Sequence, residues 1–204
     1  WLSQGLAVLA RMGGQVKVAQ SLGAGDAPLA GRFAQNSLQL GLILSALYAL
    51  VMLLFHQPLI GFFKLNDPAV VRDAETYLVI VSAGMVFSVL TLVFTGLITA
   101  TGNSKTPFLA TVLGLLLNIV LDPLLIFGIG PIPPMGVGGA ALATVLAQAL
   151  VVLLFVLYAR KDSHLFCHVR MRRKPDRACM KEILRIGLPS AMQSMLFTEV
   201  SMVI

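Results

Sequence analysis

The chain has 204 residues, 57% of them apolar and only 12% charged, with 15 Lys and Arg against 9 Asp and Glu for a net charge of +6. Soluble domains carry about twice that charged share, so there is too little polar surface to wrap a water-facing domain, and a mean hydropathy of +0.89 excludes disorder as well. What remains is an integral membrane protein made of helices, because its apolar stretches are continuous where the strands of a barrel would alternate.

A helical span needs about 20 largely apolar residues. The chain opens at Trp1 without an initiator Met or a recognisable signal peptide, and it ends at Ile204 inside an apolar run, so it is expected to be an internal piece of a longer membrane protein. Trp1 to Gln20 is apolar but interrupted by Arg11 and Lys17, which makes it a helix with one face toward protein or water. Gly23-Ala24-Gly25-Asp26 follows. No strand precedes it and the full glycine pattern of a phosphate loop is absent, so it reads as a helix end with an Asp cap for the next segment.

Five further stretches qualify as spans: Leu38 to Leu59, Tyr77 to Ala100, Pro107 to Gly128, Gly136 to Ala159 and Ile183 to Ile204. Asn66-Asp67-Pro68, Thr101-Gly102-Asn103-Ser104 and Pro131-Ile132-Pro133-Pro134 punctuate them. The predicted fold is all-α, a polytopic bundle of about six transmembrane helices. In the stretch from Gly136, small residues recur every fourth position as Gly136, Ala140 and Thr144 and as Gly139, Ala143 and Ala147, two strips that suit close helix packing.

The basic residues orient the bundle. Segments 21–37, 101–106 and 160–182 hold Arg32, Lys105, Arg160, Lys161, Arg170, Arg172, Arg173, Lys174, Arg177 and Lys181, while the opposite loops hold only Lys64 and Arg72. Ten against two predicts that the first set is cytoplasmic, in a cell inner (plasma) membrane. A membrane surface accounts for the cluster from Arg170 to Lys181, so no nucleic-acid partner is expected. Cys167 and Cys179 fall in the same segment with His164 and His168. Their spacing fits no common zinc pattern, and they are expected to be solvated, reduced loop residues.

Ionisable groups inside spans are costly and mark function. Asp122 and Glu199 are the two that stand out. Asn118 shares a helical face with Asp122, and Pro123 denies a hydrogen bond to the carbonyl of Ile119, leaving a carboxylate, an amide oxygen and a loose carbonyl together. These hard oxygens suit Na⁺ or a proton rather than a soft metal. Counting about 1.5 Å per residue places Asp122 about 9 Å and Thr144 about 12 Å below one membrane edge, with Glu199 in the same half. The alternative for Asn118, Asp122 and Thr144 is a hydrogen-bond network that only joins helices. No nucleophile with a base and no nucleotide loop appears in the spans, so an enzyme is not expected.

Gln20-Ser21-Leu22-Gly23-Ala24-Gly25-Asp26, Gly102-Asn103-Ser104-Lys105-Thr106-Pro107, Asn118 to Pro123, and Gly136 to Thr144, in this order and over nearly the whole chain, resemble the multidrug and toxic compound extrusion family of transporters. In that family two six-helix bundles face a central cavity, and Na⁺ or H⁺ entry drives drug export. The resemblance implies that residues 1–182 are the second to sixth helices of the amino-terminal bundle and that 183–204 begin the seventh helix, in the carboxy-terminal bundle. It further implies a cation site at Asn118, Asp122 and Thr144, a coupling or cavity role for Glu199, a helix hinge at Pro123, and no cofactor beyond the coupling ion. Amphipathic or cationic small molecules, the lipid bilayer and the remaining helices of the same transporter are the expected partners, with a monomer as the assembly. Two other readings stay open: a lipid-linked oligosaccharide flippase, which should line its cavity with several basic residues although only Arg11 and Lys17 lie clearly within a span, and a membrane scaffold without transport.

Overall fold

The computed structural model describes residues 2–62, 68–128, 133–162, 164–169 and 174–203; the side chains of 2–4, 56–62, 68, 69, 195 and 197–203 lie outside that description. The helices are α1 (Leu2–Gly23), α2 (Ala27–Phe62), α3 (Pro68–Ala100), α4 (Lys105–Phe127), α5 (Gly136–Lys161) and α6 (Arg177–Val203), with a single 3₁₀ turn at Phe166–His168 before α6. Among the described residues all regular structure is helical. α2, α3, α4 and α5 each contain a stretch long and apolar enough to cross a membrane. The 23 residues of α4 extend about 35 Å, a little more than a hydrocarbon core.

α1 lies at the centre of the contacts, packed against α2, α3 and α6, while α3 also meets α2 and α5, and α4 is held chiefly by α5. Glycines set these distances. A Cβ on Gly139 would stand 2.5 Å from the carbonyl oxygen of Leu125, so only glycine lets α5 reach the α4 backbone there. Gly13 meets the backbone of Ile183 and Gly187 that of Leu9, which brings α1 and α6 together twice, antiparallel. Lipid tails are as apolar as leucine, so such close backbone approach and the dispersion it permits carry the association. Phe94, with ring centroids 5.9 Å from Phe155 and 6.0 Å from Phe166, joins α3 to α5 and to the 3₁₀ turn. Opposite this core, Phe108, Leu116, Ile119, Val120 and Phe127 of α4 are exposed, an apolar face suited to hydrocarbon.

The caps follow the local sequence. Gly25 at φ +77° ends α1, and the Asp26 carboxylate accepts the N–H of Leu29 at 3.0 Å, which is the Asp cap expected for the next helix. Gly102 at φ +83° ends α3. Asn103 then caps α4 by accepting the N–H of Thr106 at 3.1 Å, and its amide donates to the Tyr158 hydroxyl of α5, also at 3.1 Å. α2 breaks its helical geometry at Phe55, where φ is −109° and ψ 15°. Pro58, three residues on, has no N–H to offer the carbonyl of Leu54.

Several expectations need correction. Segment 21–37 is not a loop: Ala27 to Ser37 form the first turns of α2, and Gln35, Asn36 and Ser37 are buried there, with the Ser37 hydroxyl donating to the Ala10 carbonyl at 2.6 Å. Polar side chains met by a partner helix do not end a helix. Segment 160–182 is likewise partly helical, because α6 starts at Arg177, and the 182/183 boundary falls inside that helix. Cys179 is buried on α6 rather than solvated, whereas Cys167 is exposed. Of the two strips on α5, Gly139, Ala143 and Ala147 are buried, while Gly136 and Thr144 are exposed. Lys64, Arg170, Arg172 and Arg173 lie outside the described residues.

Candidate functional site

α4 carries the polar face predicted for it. Asn118 and Asp122, one turn apart and both half-buried, are joined by a hydrogen bond from Asn118 Nδ2 to Asp122 Oδ1 at 3.4 Å, a long contact that leaves the carboxylate room for another partner. α4 continues as one helix through Pro123 to Phe127, where Gly128 at φ +69° closes it with its N–H on the Leu124 carbonyl. The local cause is simple: the side chains at 118 and 122 stack on one face, and the helix runs past the proline even though the Ile119 carbonyl has no amide to bond.

Thr144 is brought near Asn118 but not onto it. Both line a cavity of about 190 Å³ between α4 and α5, with Thr91 of α3 and Thr111, Gly114 and Gln148 at its walls. The Thr144 hydroxyl donates back to the Ala140 carbonyl at 3.1 Å, so its lone pairs rather than its proton are offered to the cavity. Sequence reasoning missed Thr91 and Gln148. Thr91 Oγ1 and Gln148 Oε1 are buried without a hydrogen-bond partner among the described residues, an unusual state for polar atoms at the edge of a cavity. A single Thr or Gln in an apolar run carries no sequence signal of this, since its surroundings are set by another helix.

Glu199 lies on the backbone of α6, and its side chain is outside the described residues. Among the described residues α6 packs on α1 and α2 and makes no contact with α4 or α5, so Glu199 belongs to a different wall from Asp122. Lys17, in the middle of the bundle contacts, is neutralised: its Nζ is 2.5 Å from Glu182 Oε2 and sits 5.6 Å above the Phe33 ring. Among the described residues no three His, Cys, Asp or Glu side chains converge, and the oxygens on offer at Asn118 are one carboxylate, two amides and several hydroxyls. Such a set can exchange a proton or hold a hard monovalent cation.

Long apolar helices that bury polar and ionisable groups against one another define a multi-pass helical membrane protein with a polar site inside its bundle. Comparison with known proteins gives the family. The MatE family model matches residues 1–124. A probable multidrug resistance protein NorM of Thermotoga maritima is 35% identical over 97% of this chain, which spans 42% of that relative's length. An FAD transporter of Shewanella oneidensis is 29% identical over 86% of the chain and 38% of its own length. A crystal structure of MATE in the bent conformation superposes with a TM-score of 0.86 at 32% identity, over 98% of this chain and 44% of the other. The chain belongs to the MatE family, whose members are transporters and not enzymes. It spans about two fifths of the length of the relatives it matches. Multidrug resistance and FAD transport are both names found among these relatives, so the likeness fixes the family and not the cargo.

Proposed function

We propose that this chain is part of a secondary active exporter of the plasma membrane that moves amphipathic or cationic compounds outward against Na⁺ or H⁺ entry, acting as a monomer. The observation that carries this reading is the Asn118–Asp122 pair on α4, a carboxylate and an amide joined by a long hydrogen bond beside a cavity with unpaired oxygens. A Na⁺ or proton entering from the outer side is taken by Asp122, with Asn118 and Thr144 completing the oxygen shell. The amide of Asn118 turns its oxygen to the ion, since its nitrogen now faces the carboxylate. Neutralising the carboxylate changes what α4 can pack against, and Pro123 is the point where the helix can bend without breaking another hydrogen bond. Glu199, on the wall formed by α6, couples the cargo side of the cavity to this event. The ten-charge face is cytoplasmic in this reading, which puts Asp122 in the outer half of the membrane.

Asp122→Asn in the complete transporter tests the proposal. Ion-coupled efflux of ethidium from cells is expected to be abolished while the protein still accumulates in the membrane, and efflux that persists at the unmodified rate overturns it.

A further inference from the structure

α1 carries two charged residues, Arg11 and Lys17, and the ion site uses neither. Arg11 lies twelve residues before the end of α1 at Gly23, about 18 Å along the helix, in the stretch of α1 that packs between α3 and α6. Its Nε is buried without a hydrogen-bond partner, and among the described residues it forms no ion pair. Lys17, two turns away, is paired with Glu182, so α1 neutralises one of its cations and leaves the other open. A guanidinium with a buried and unbonded nitrogen is too costly to serve as filler, and such a cation faces a partner or a water-filled cavity.

Arg11 faces a cavity. Together with Val8 and Met12 of α1 and Ser190, Gln193 and Ser194 of α6 it lines a space of about 490 Å³, within the range of sites for drug-sized molecules. Among the described residues no carboxylate lines this space. The hydroxyls of Ser190 and Ser194 donate to carbonyls of their own helix, at 3.4 and 2.9 Å, and Gln193 is exposed with an amide that can donate inward. The stem of Arg11 is held in place from behind. A Cβ on Gly96 of α3 would come within 2.8 Å of Arg11 Cγ and 3.3 Å of Gln15 Oε1, so the absence of a side chain at 96 is what lets the arginine lie where it does. A cationic fork, held at its stem by α3 and lining a cavity beside amide and hydroxyl groups, matches a planar carboxylate.

From this geometry we infer that Arg11, with Gln193 beside it, binds the carboxylate of a transported organic acid or zwitterion in the cavity between α1 and α6. The inference deepens the exporter reading and rests on it for the word transported. The site is separate from Asp122: neither Arg11 nor α1 lines the Asn118 cavity. One transporter can therefore hold the acidic end of a cargo near α1 and a coupling ion on α4 at once.

The test uses the complete transporter in lipid nanodiscs with two fluorescent probes that differ only in the carboxylate, rhodamine B and its methyl ester, read by fluorescence polarisation against empty discs. The unmodified protein is expected to bind the acid more tightly than the ester. Arg11→Gln is expected to weaken the acid about tenfold and to move the ester by less than about twofold, the size of one charge-assisted contact. Equal binding of acid and ester by the unmodified protein overturns the inference. So does an equal loss of both in Arg11→Gln, which is the result if the guanidinium pairs with an acidic side chain elsewhere in the transporter. If Arg11→Gln does not accumulate, Gln193→Leu leaves the guanidinium in place and is expected to weaken the acid about threefold and spare the ester; an equal effect on both probes overturns the proposal. Binding is read without an ion gradient, so the outcomes separate: acid binding through Arg11 without efflux sinks the exporter reading alone, and efflux with no Arg11-dependent preference sinks this inference alone.

Discussion

Arg32 and Asp176, 144 positions apart, meet at 2.6 Å and tie the start of α2 to the start of α6. Asp176 does more than pair: its carboxylate accepts the N–H of Ala178 at 3.0 Å as the cap of α6, and its own N–H donates to the Asn36 side chain at 2.8 Å. Asn36 in turn donates to the Arg32 carbonyl at 2.8 Å, which closes a small network across the two helices.

Asp176 predicts a pH dependence with a definite sign. The backbone N–H of Ala178 and then the Arg32 guanidinium hold its carboxyl below the ordinary value of 3.8. Stability from a lowered carboxyl is fully present above the ordinary value and is lost as pH falls through the lowered one. The melting temperature of the complete transporter should therefore exceed that of Asp176→Asn by the same margin from neutral pH down to about pH 5, and the margin should close only in stronger acid. Asp176→Ala, which removes the cap as well, should melt lower than Asp176→Asn. A thermal unfolding series across pH checks both.

The pair Lys17–Glu182 predicts an asymmetry. Lys17 is 23% exposed and Glu182 49% exposed. Lys17→Met leaves a glutamate that water can solvate, a loss of less than about 1 kcal/mol. Glu182→Gln leaves a largely buried ammonium with the Phe33 ring and a neutral amide oxygen in place of its counter-charge, a loss of about 1–3 kcal/mol. The double variant should recover to the level of Lys17→Met. Thermal unfolding of the three variants measures the order, and equal losses for the two single changes contradict it.

Much of the fold is legible in the amino-acid chain itself. Apolar runs locate the helices, because a membrane requires their length and continuity. The Asp26 cap and the Asn118–Asp122 face follow from residues within four positions of each other, where helical geometry alone fixes who meets whom. Helix limits at 27–37 and 177–182 are not legible, since the polar residues there are satisfied by other helices. The pairing of Lys17 with Glu182 and the isolation of Arg11 are hidden for the same reason: each depends on how α6 lies against α1, and no local pattern states it.

Glycine positions predict a contrast on the helix contacts. Gly139→Ala places a methyl group 2.5 Å from the Leu125 carbonyl oxygen, against backbone that cannot swing aside, so α4 and α5 must separate at a cost of about 1–3 kcal/mol. Gly23→Ala meets nothing within 4 Å and should leave the melting temperature unchanged or slightly raised. The difference between the two melting curves is the measurement, and a neutral Gly139→Ala would mean that α5 does not lean on α4 as described.

The orphaned oxygens beside Asn118 give the last prediction. Thr91 Oγ1 and Gln148 Oε1 make no hydrogen bond among the described residues, so Thr91→Val and Gln148→Leu should leave thermal stability unchanged or slightly higher. If those oxygens serve only as packing, efflux should be equally indifferent to both changes. If they face an ion held near Asn118 and Thr144, as the exporter reading requires of that cavity, each change should raise the Na⁺ or H⁺ concentration needed for half-maximal efflux about several-fold while the maximal rate persists. Ethidium efflux by the complete transporter, with Na⁺ and pH varied independently, separates the two. An unchanged ion requirement in both variants would confine the coupling ion to Asp122 and Asn118 and leave the α3 side of the cavity without a part in it.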